Sequence, residues 1–229
     1  YHPGLEVLEW AFNILKEKGF APDTTFDVQN LVEDKERIRL VLPKTTDYQI
    51  RLVLREGELL TELNKEVKQG TFDIAILGSP KRKRMTQKIA QFLDTSIFFV
   101  KNFNPSWDYK ILLCVDDSRA TKRAVILSTR ISKQFSADIT SVTVSKTSFF
   151  GKGYRNAQIW AERYLKRKNI TFESRLLSGT PVDVFVKEAG ENHIIIMGKA
   201  KGNEIIKFVL GSKPIHTAQR ANCPVLLVN

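Results

Sequence analysis

From residue 110 onward the apolar positions switch between two rhythms. KILLCVDD (110–117) is a short apolar run ending in two aspartates, the pattern of a strand buried on both faces. Behind Ser118, a candidate N-cap, Ala124, Leu127, Ile131 and Phe135 recur at helical spacing. DITSVTVS (138–145) alternates and is rich in β-branched residues, so it predicts a strand. A helix opened by GKGY follows, with Ala157, Trp160, Ala161 and Tyr164 on one face. ITFESRLLSG (170–179) predicts a strand, and TPVDVFVKEAG a helix with Thr180 as cap and Pro181 at its first position. HIIIMG (193–198) and CPVLLVN (223–229) predict strands on either side of a helix over 207–222. Strands and helices that alternate in this way imply a mainly parallel sheet covered by helices. Ligands of such sheets bind beyond the carboxyl ends of the strands, where the strand order reverses. The segments to watch are therefore Asp116–Asp117 and Gly198–Ser212.

Residues 52–100 repeat the closing half of this pattern. LVLREG parallels RLLSG, DIAILGS parallels IIIMGK, and KIAQFLDTSIFFV parallels HTAQRANCPVLLV. This is a repeat of a domain rather than of a short solenoid unit. After Gly78 the first copy reads SPKRKRMTQ and lacks a Gly-Ser pair, so no phosphate cradle is expected there. LEVLEWAFNILKEKG (5–19) predicts an amphipathic helix closed by Gly19, and three strand-like runs follow it. No equivalent of KILLCVDD precedes that helix. The expected organisation is a degenerate domain over 1–101, a linker over 102–109 and a second domain over 110–229. The chain begins with Tyr1 rather than Met, which suggests processing or a longer parent.

Charge separates the halves. Residues 1–109 hold 16 Lys+Arg against 16 Asp+Glu, whereas residues 110–229 hold 20 against 9 and so carry the whole net charge of +11. The basic half should attract an anion: a nucleotide, a nucleic acid or an acidic membrane surface. The run Lys81–Arg84 has no interleaved aromatic and reads as a solvated loop. Two cysteines without C-x-x-C spacing exclude a disulfide framework and suit a reducing, cytoplasmic setting. No apolar run approaches the ~20 residues of a membrane-spanning helix.

In the second half, Gly198 is followed by twelve residues and then Gly211-Ser212. The same half carries Asp116 and Ser118 in K-I-L-x-x-V-D-x-S and ends in Cys223-Pro224-Val225-Leu226. Taken in order, these motifs resemble the universal stress protein family, whose ATP-binding members carry G-x2-G-x9-G-[S/T] after the fourth strand. The family's middle glycine falls on Lys201, with Gly202 one place later. Lys201 could add charge beside the phosphates, or its side chain could block the loop.

The resemblance implies an adenine nucleotide alpha hydrolase-like α/β fold: two domains with mainly parallel five-stranded sheets, packed as a pseudo-dimer through the apolar strands IFFV and VLLV. A further homodimer is compatible with it. It implies ATP, or ADP or AMP, with Mg2+ as an admissible companion. The expected contacts are Asp116 to adenine or ribose, Val142 or Val144 in the adenine pocket, and Ser118, Gly198, Lys201, Gly202, Gly211 and Ser212 around the loop. Lys199 and Lys213 flank that loop.

An enzyme of the wider hydrolase-like group would need H-x-G-H or S-G-G-x-D-S, and neither occurs. No catalytic residue is therefore expected, and any ATP hydrolysis would be slow. The leading expectation is an adenine-nucleotide-binding module with a regulatory role in stress response. The alternative is a regulatory domain of a transporter or sensor protein whose nucleotide loop has decayed and which acts through protein partners. A nucleic-acid or membrane-surface binder using the basic half stands as a further, disfavoured reading.

Overall fold

The structure is a computed structural model that describes residues 4–34, 37–44, 48–70, 72–78, 83–199 and 212–229. The chain divides into two compact units, Tyr1–Lys65 and Glu66–Asn229.

In the first unit, helix α1 (Leu5–Glu17) buries Leu5, Leu8 and Phe12, the i, i+3, i+7 stripe of its sequence. Gly19, at φ +75°, ends it: Gly19 N donates to the Lys16 carbonyl and Phe20 N to that of Leu15. This pairing closes the helix through a left-handed residue. Phe12 packs with Leu40 and Leu42 into a small core. The strands are β1 (Val32–Asp34), β2 (Arg37–Val41) and β3 (Arg51–Arg55), an antiparallel meander in the order β1-β2-β3. Residues 28–30 form a single 3-10 turn.

Here the sheets differ from the expected five and five. The stretch 52–57, which parallels the second half in sequence, joins an antiparallel sheet instead of a parallel one. The reason is the connections: β1 ends at residue 34, β2 spans 37–41 and β3 begins at 51, so both links are shorter than the crossover of a dozen or more residues that a parallel pair needs. Helix α2 (Leu59–Gln69) then begins, and Glu62 in its first turn is gripped by Arg55 Nη1 (3.0 Å) and Lys65 Nζ (2.8 Å). These two cations, Lys65 foremost, hold its carboxyl below the usual range against the opposing effect of burial.

The second unit holds a seven-stranded sheet. Its strands are β4 (Ile74–Gly78), β5 (Ser96–Val100), β6 (Lys110–Cys114), β7 (Ile139–Ser145), β8 (Phe172–Ser178), β9 (His193–Gly198) and β10 (Val225–Val228). The helices between them are α3 (Lys83–Phe92), α4 (Arg119–Phe135), α5 (Lys152–Arg167), α6 (Pro181–Ala189) and α7 (Ser212–Arg220). The strand order is β4-β5-β10-β9-β6-β7-β8. Every neighbouring pair is parallel except β5 and β10. One face is cored by Ile111, Leu113, Val115, Ala124, Val125, Ala161 and Leu165, which bring α4 and α5 onto the sheet. Among the described residues no helix is long and apolar enough to cross a membrane.

The β5–β10 seam joins the repeated units β4-α3-β5 and β9-α7-β10 within the chain. Ile97 pairs with Leu227, Phe98 with Leu226 and Phe99 with Val225. In repeat-equivalent positions, Phe98 and Leu226 are partners of each other, so a local two-fold runs between them, as in an isologous interface. Side chains from one copy cap helix ends of the other. Lys101 Nζ donates to the Ala221 carbonyl just past α7 (2.7 Å), and Asn102 Nδ2 to that of Asn222 (3.2 Å). Cations at such C-terminal carbonyls complement the helix dipole. Residues 102–109 are an ordered turn: Phe103 stacks on Tyr109 at 5.1 Å, and the Tyr109 hydroxyl accepts from Asn104 N.

His193, at the start of β9, lies with Nδ1 2.7 Å from the Ala189 carbonyl. Burial pushes its imidazole below the usual range. The folded state therefore favours the neutral ring. Its contribution is present above the unfolded pKa of about 6.5 and is lost as pH falls through the lower folded value. Thermal melts should show a larger drop in Tm between pH 7.5 and pH 5 for the native chain than for His193→Gln; equal drops would contradict this account.

Candidate functional site

β6 and β9 run side by side, with Cys114 opposite Met197. From β6 the chain leaves through α4 toward β7, and from β9 through α7 toward β10, so the strand order reverses between them. A cleft of about 250 Å³ opens beyond their carboxyl ends. Asp116, Asp117 and Ser118 line it after β6, and Gly198 at the end of β9. Pro181 and Phe185 enter from α6, Tyr154 from α5, and Lys213 and Pro214 from α7. Helices α4, α5, α6 and α7 thus all begin beside the cleft, and the positive ends of their dipoles oppose the charge of the two carboxylates that line it.

Asp116 is held by its own turn. Its Oδ1 accepts from Ser118 N (3.0 Å) and from Thr121 Oγ1 (2.6 Å), while Asp116 N donates to Thr121 Oγ1 (3.1 Å). The two bonds to its side chain both use that one carboxylate oxygen. The other oxygen has no hydrogen-bond partner among the described residues, so the turn fixes a half-buried carboxylate with one acceptor to spare. Ser118 is the N-cap of α4 by position, with extended backbone, yet its hydroxyl makes no capping bond. That hydroxyl remains available to the cleft.

Gly198 has a tighter role than a loop turn. A Cβ there would lie 2.5 Å from the Ala120 carbonyl carbon and 2.7 Å from its oxygen. Only glycine lets the end of β9 approach the first turn of α4. Gly153 plays a lesser part of the same kind, since a Cβ there would stand 3.1 Å from Asp117 Cβ and Oδ2.

Of the two valines considered, Val144 lines the cleft and Val142 is fully buried beneath it. Both face the same side of β7, but two residues along a strand is about 6.6 Å of depth. Lys199 does not reach toward an anion: its Nζ donates to the carbonyls of Leu93 (2.6 Å) and Thr95 (3.3 Å), at the end of α3. Lys201, Gly202 and Gly211 lie outside the described residues. Ser212 begins α7, and only its backbone is described. Asp117, marked from sequence with Asp116, lines the cleft, whereas Tyr154, Phe185 and Thr121 are not singled out by the sequence. Thr121 alone carried a signal, standing five residues after Asp116 in the first turn of a helix. The Cys114 thiol, in the cleft floor, is pushed well up by burial and by the nearby Asp116, and that of Cys223 to about 11 by burial, so neither is an activated nucleophile.

The family model described as the universal stress protein family matches residues 109–229. The chain belongs to the universal stress protein family. Solved structures agree on the fold. A universal stress protein from Archaeoglobus fulgidus DSM 4304 superposes with a TM-score of 0.60 at 16% identity, over 76% of this chain and 66% of that one. The chain thus spans just under two thirds of that structure's length. A structure from Pseudomonas aeruginosa UCBPP-PA14 classed with the universal stress proteins gives a TM-score of 0.56 at 11% identity, over 76% and 69%. A universal stress protein in complex with cAMP is 26% identical over 54% of this chain and 98% of that one, with a TM-score of 0.46. A comparison with curated proteins gave no match.

The Gly198–Ala120 contact should behave as a packing constraint of this universal stress protein domain. Gly198→Ala is expected to cost about 1–3 kcal/mol, as overpacking does, measured by denaturant unfolding without nucleotide. Ala120→Gly should not rescue it, because the clash is largely with backbone; full rescue would place the contact elsewhere.

Proposed function

We propose that the chain is an adenine-nucleotide-binding regulatory module of the stress-protein type, with the ligand held by its second unit. The observation that carries this reading is the spare oxygen of Asp116, fixed by Ser118 N and Thr121 at the strand-order reversal. A carboxylate so placed accepts from an adenine amino group or a ribose hydroxyl. Tyr154, Phe185 and Val144 supply walls for a base. The convergent helix N-termini and Lys213 favour the phosphates. These residues fit a nucleotide, which would bring the charge that those N-termini attract. ATP is the ligand we assign, with ADP and AMP as close relatives and Mg2+ as a companion of the triphosphate.

We assign no catalytic residue, so the module binds nucleotide, with hydrolysis at most slow. The first copy of the repeat lacks the Gly-Ser loop and contributes no second nucleotide site. Two free, buried cysteines suit a reducing, cytoplasmic setting.

Calorimetric titration with ATP, ADP and AMP, with and without Mg2+, tests the reading. One nucleotide per chain is expected. Asp116→Ala should weaken binding by about 1.5–3 kcal/mol, the range for a hydrogen bond to a charged group, and should lower Tm as well, because Ser118 N and Thr121 lose their acceptor. Lys213→Ala should weaken ATP more than AMP. Binding by Lys201→Gly but not by the native chain would mean that Lys201 closes the loop. Silence from both at millimolar ATP would overturn the nucleotide reading and favour a partner-binding domain whose loop has decayed.

A further inference from the structure

The positive charge of the second half is gathered on one layer. Helix α4 carries Arg119, Lys122, Arg123, Arg130 and Lys133 and no acidic residue. Helix α5 carries Lys152, Arg155, Arg163, Lys166 and Arg167 against the single Glu162, and Lys168 caps its end. The remainder of residues 110–229 is nearly balanced, with nine Lys+Arg against eight Asp+Glu. The two helices pack against each other and on the same face of the sheet through Ala124, Val125, Ala161 and Leu165.

The cations of α4 and α5 differ from two arginines elsewhere in this unit. Arg175 and Arg220 bind Glu173, Glu188 and Asp183. Among the described residues no cation of α4 or α5 has a carboxylate partner. Glu162, the one acid on the layer, accepts from Gln158. Arg130, Lys133, Arg163 and Lys166 are exposed. The helices run 17 and 16 residues, about 25 Å each, and offer cations near both ends. Such a surface repels itself unless an anion lies on it.

Half-buried aromatics stand among the charges. Trp160 and Tyr164 stack at 5.4 Å with their planes 22° apart. Lys122 Nζ lies 5.5 Å from the Trp160 ring centre, and Arg167 and Lys168 flank Tyr164 at 5.4 and 5.9 Å. Cations along a backbone track, with aromatic planes beside them, are the chemistry that holds single-stranded nucleic acid. A membrane would call for an apolar crest. The exposed apolar residues here are Phe135, at the end of α4, and Ile159, in the middle of α5, each set apart by charge.

We propose that the α4–α5 layer binds single-stranded nucleic acid, phosphates on the exposed cations and bases against the Trp160–Tyr164 pair, separately from the cleft. Fluorescence anisotropy of a labelled 20-residue oligouridylate tests it on the full chain. Contact with about four phosphates implies roughly fiftyfold weaker binding when salt rises from 50 to 200 mM. The variant Arg130→Ser/Lys133→Ser/Arg163→Ser/Lys166→Ser should lose at least tenfold in affinity while keeping its Tm. Asp116→Ala should bind the oligonucleotide as the native chain does, and Trp160→Leu should bind less tightly. The proposal is overturned by no binding at 50 mM salt, by undiminished binding in the quadruple variant, or by loss in Asp116→Ala, which would place the strand in the cleft. Retention of the protein on phosphatidylglycerol vesicles without oligonucleotide binding would likewise reject it, in favour of a membrane.

Discussion

The close approach of Gly198 to the Ala120 backbone sets the geometry of the second unit. It brings the end of β9 against the first turn of α4, the helix that follows β6. Without that approach the first turn of α4 could not lie against the end of β9. Asp116 and Ser118 would then stand apart from the chain that follows Gly198. The Asp116 turn is the complementary device: Thr121, in the first turn of α4, both donates to the Asp116 carboxylate and accepts from its backbone N–H. Packing fixes the helix on the strand, and the hydrogen bonds fix the carboxylate on the helix.

The seam between the repeats shows how an internal two-fold is kept and where it is broken. Strand pairing around Phe98 and Leu226 is symmetric. The helix-end contacts are not. Lys101 reaches the carbonyl past α7, but its repeat counterpart is Asn229, which is too short for the equivalent reach and binds Asp94 instead. The carbonyl at the end of α3 is taken by Lys199, which also donates its backbone N–H to Val228. The residue after Gly198 is thereby tied to the other copy of the repeat, so the entrance to the following segment is anchored to the seam.

The unit is also electrically two-sided. Four helix N-termini turn inward to one cleft, where they offer partial charge from backbone. Full charges from α4 and α5 are spread along the outside of one layer. The first arrangement suits a small anion held by few contacts. The second suits an extended one, because its charges are far apart and individually solvated.

Periodicity along the chain determined the alternating strands and helices of residues 110–229, the repeat over 74–100, and the apolar strands that meet at the seam. Each of these depends on which face of an element is buried, and that is written into residue spacing. The convergence of Asp116 with Gly198 also followed, since a parallel α/β sheet places the ends of its first and fourth strands together. Only the tertiary structure decided the rest. It put residues 52–55 into an antiparallel meander with β2 although α2 follows them, because the link from β2 is too short for a parallel crossover. It chose Val144 over Val142 for the cleft wall, a matter of depth along one face of one strand. It turned Lys199 from the loop to carbonyls more than a hundred residues away, and it collected cations from two separate helices on one surface. Such choices depend on which elements become neighbours in space, and local pattern carries no record of a partner so distant in sequence.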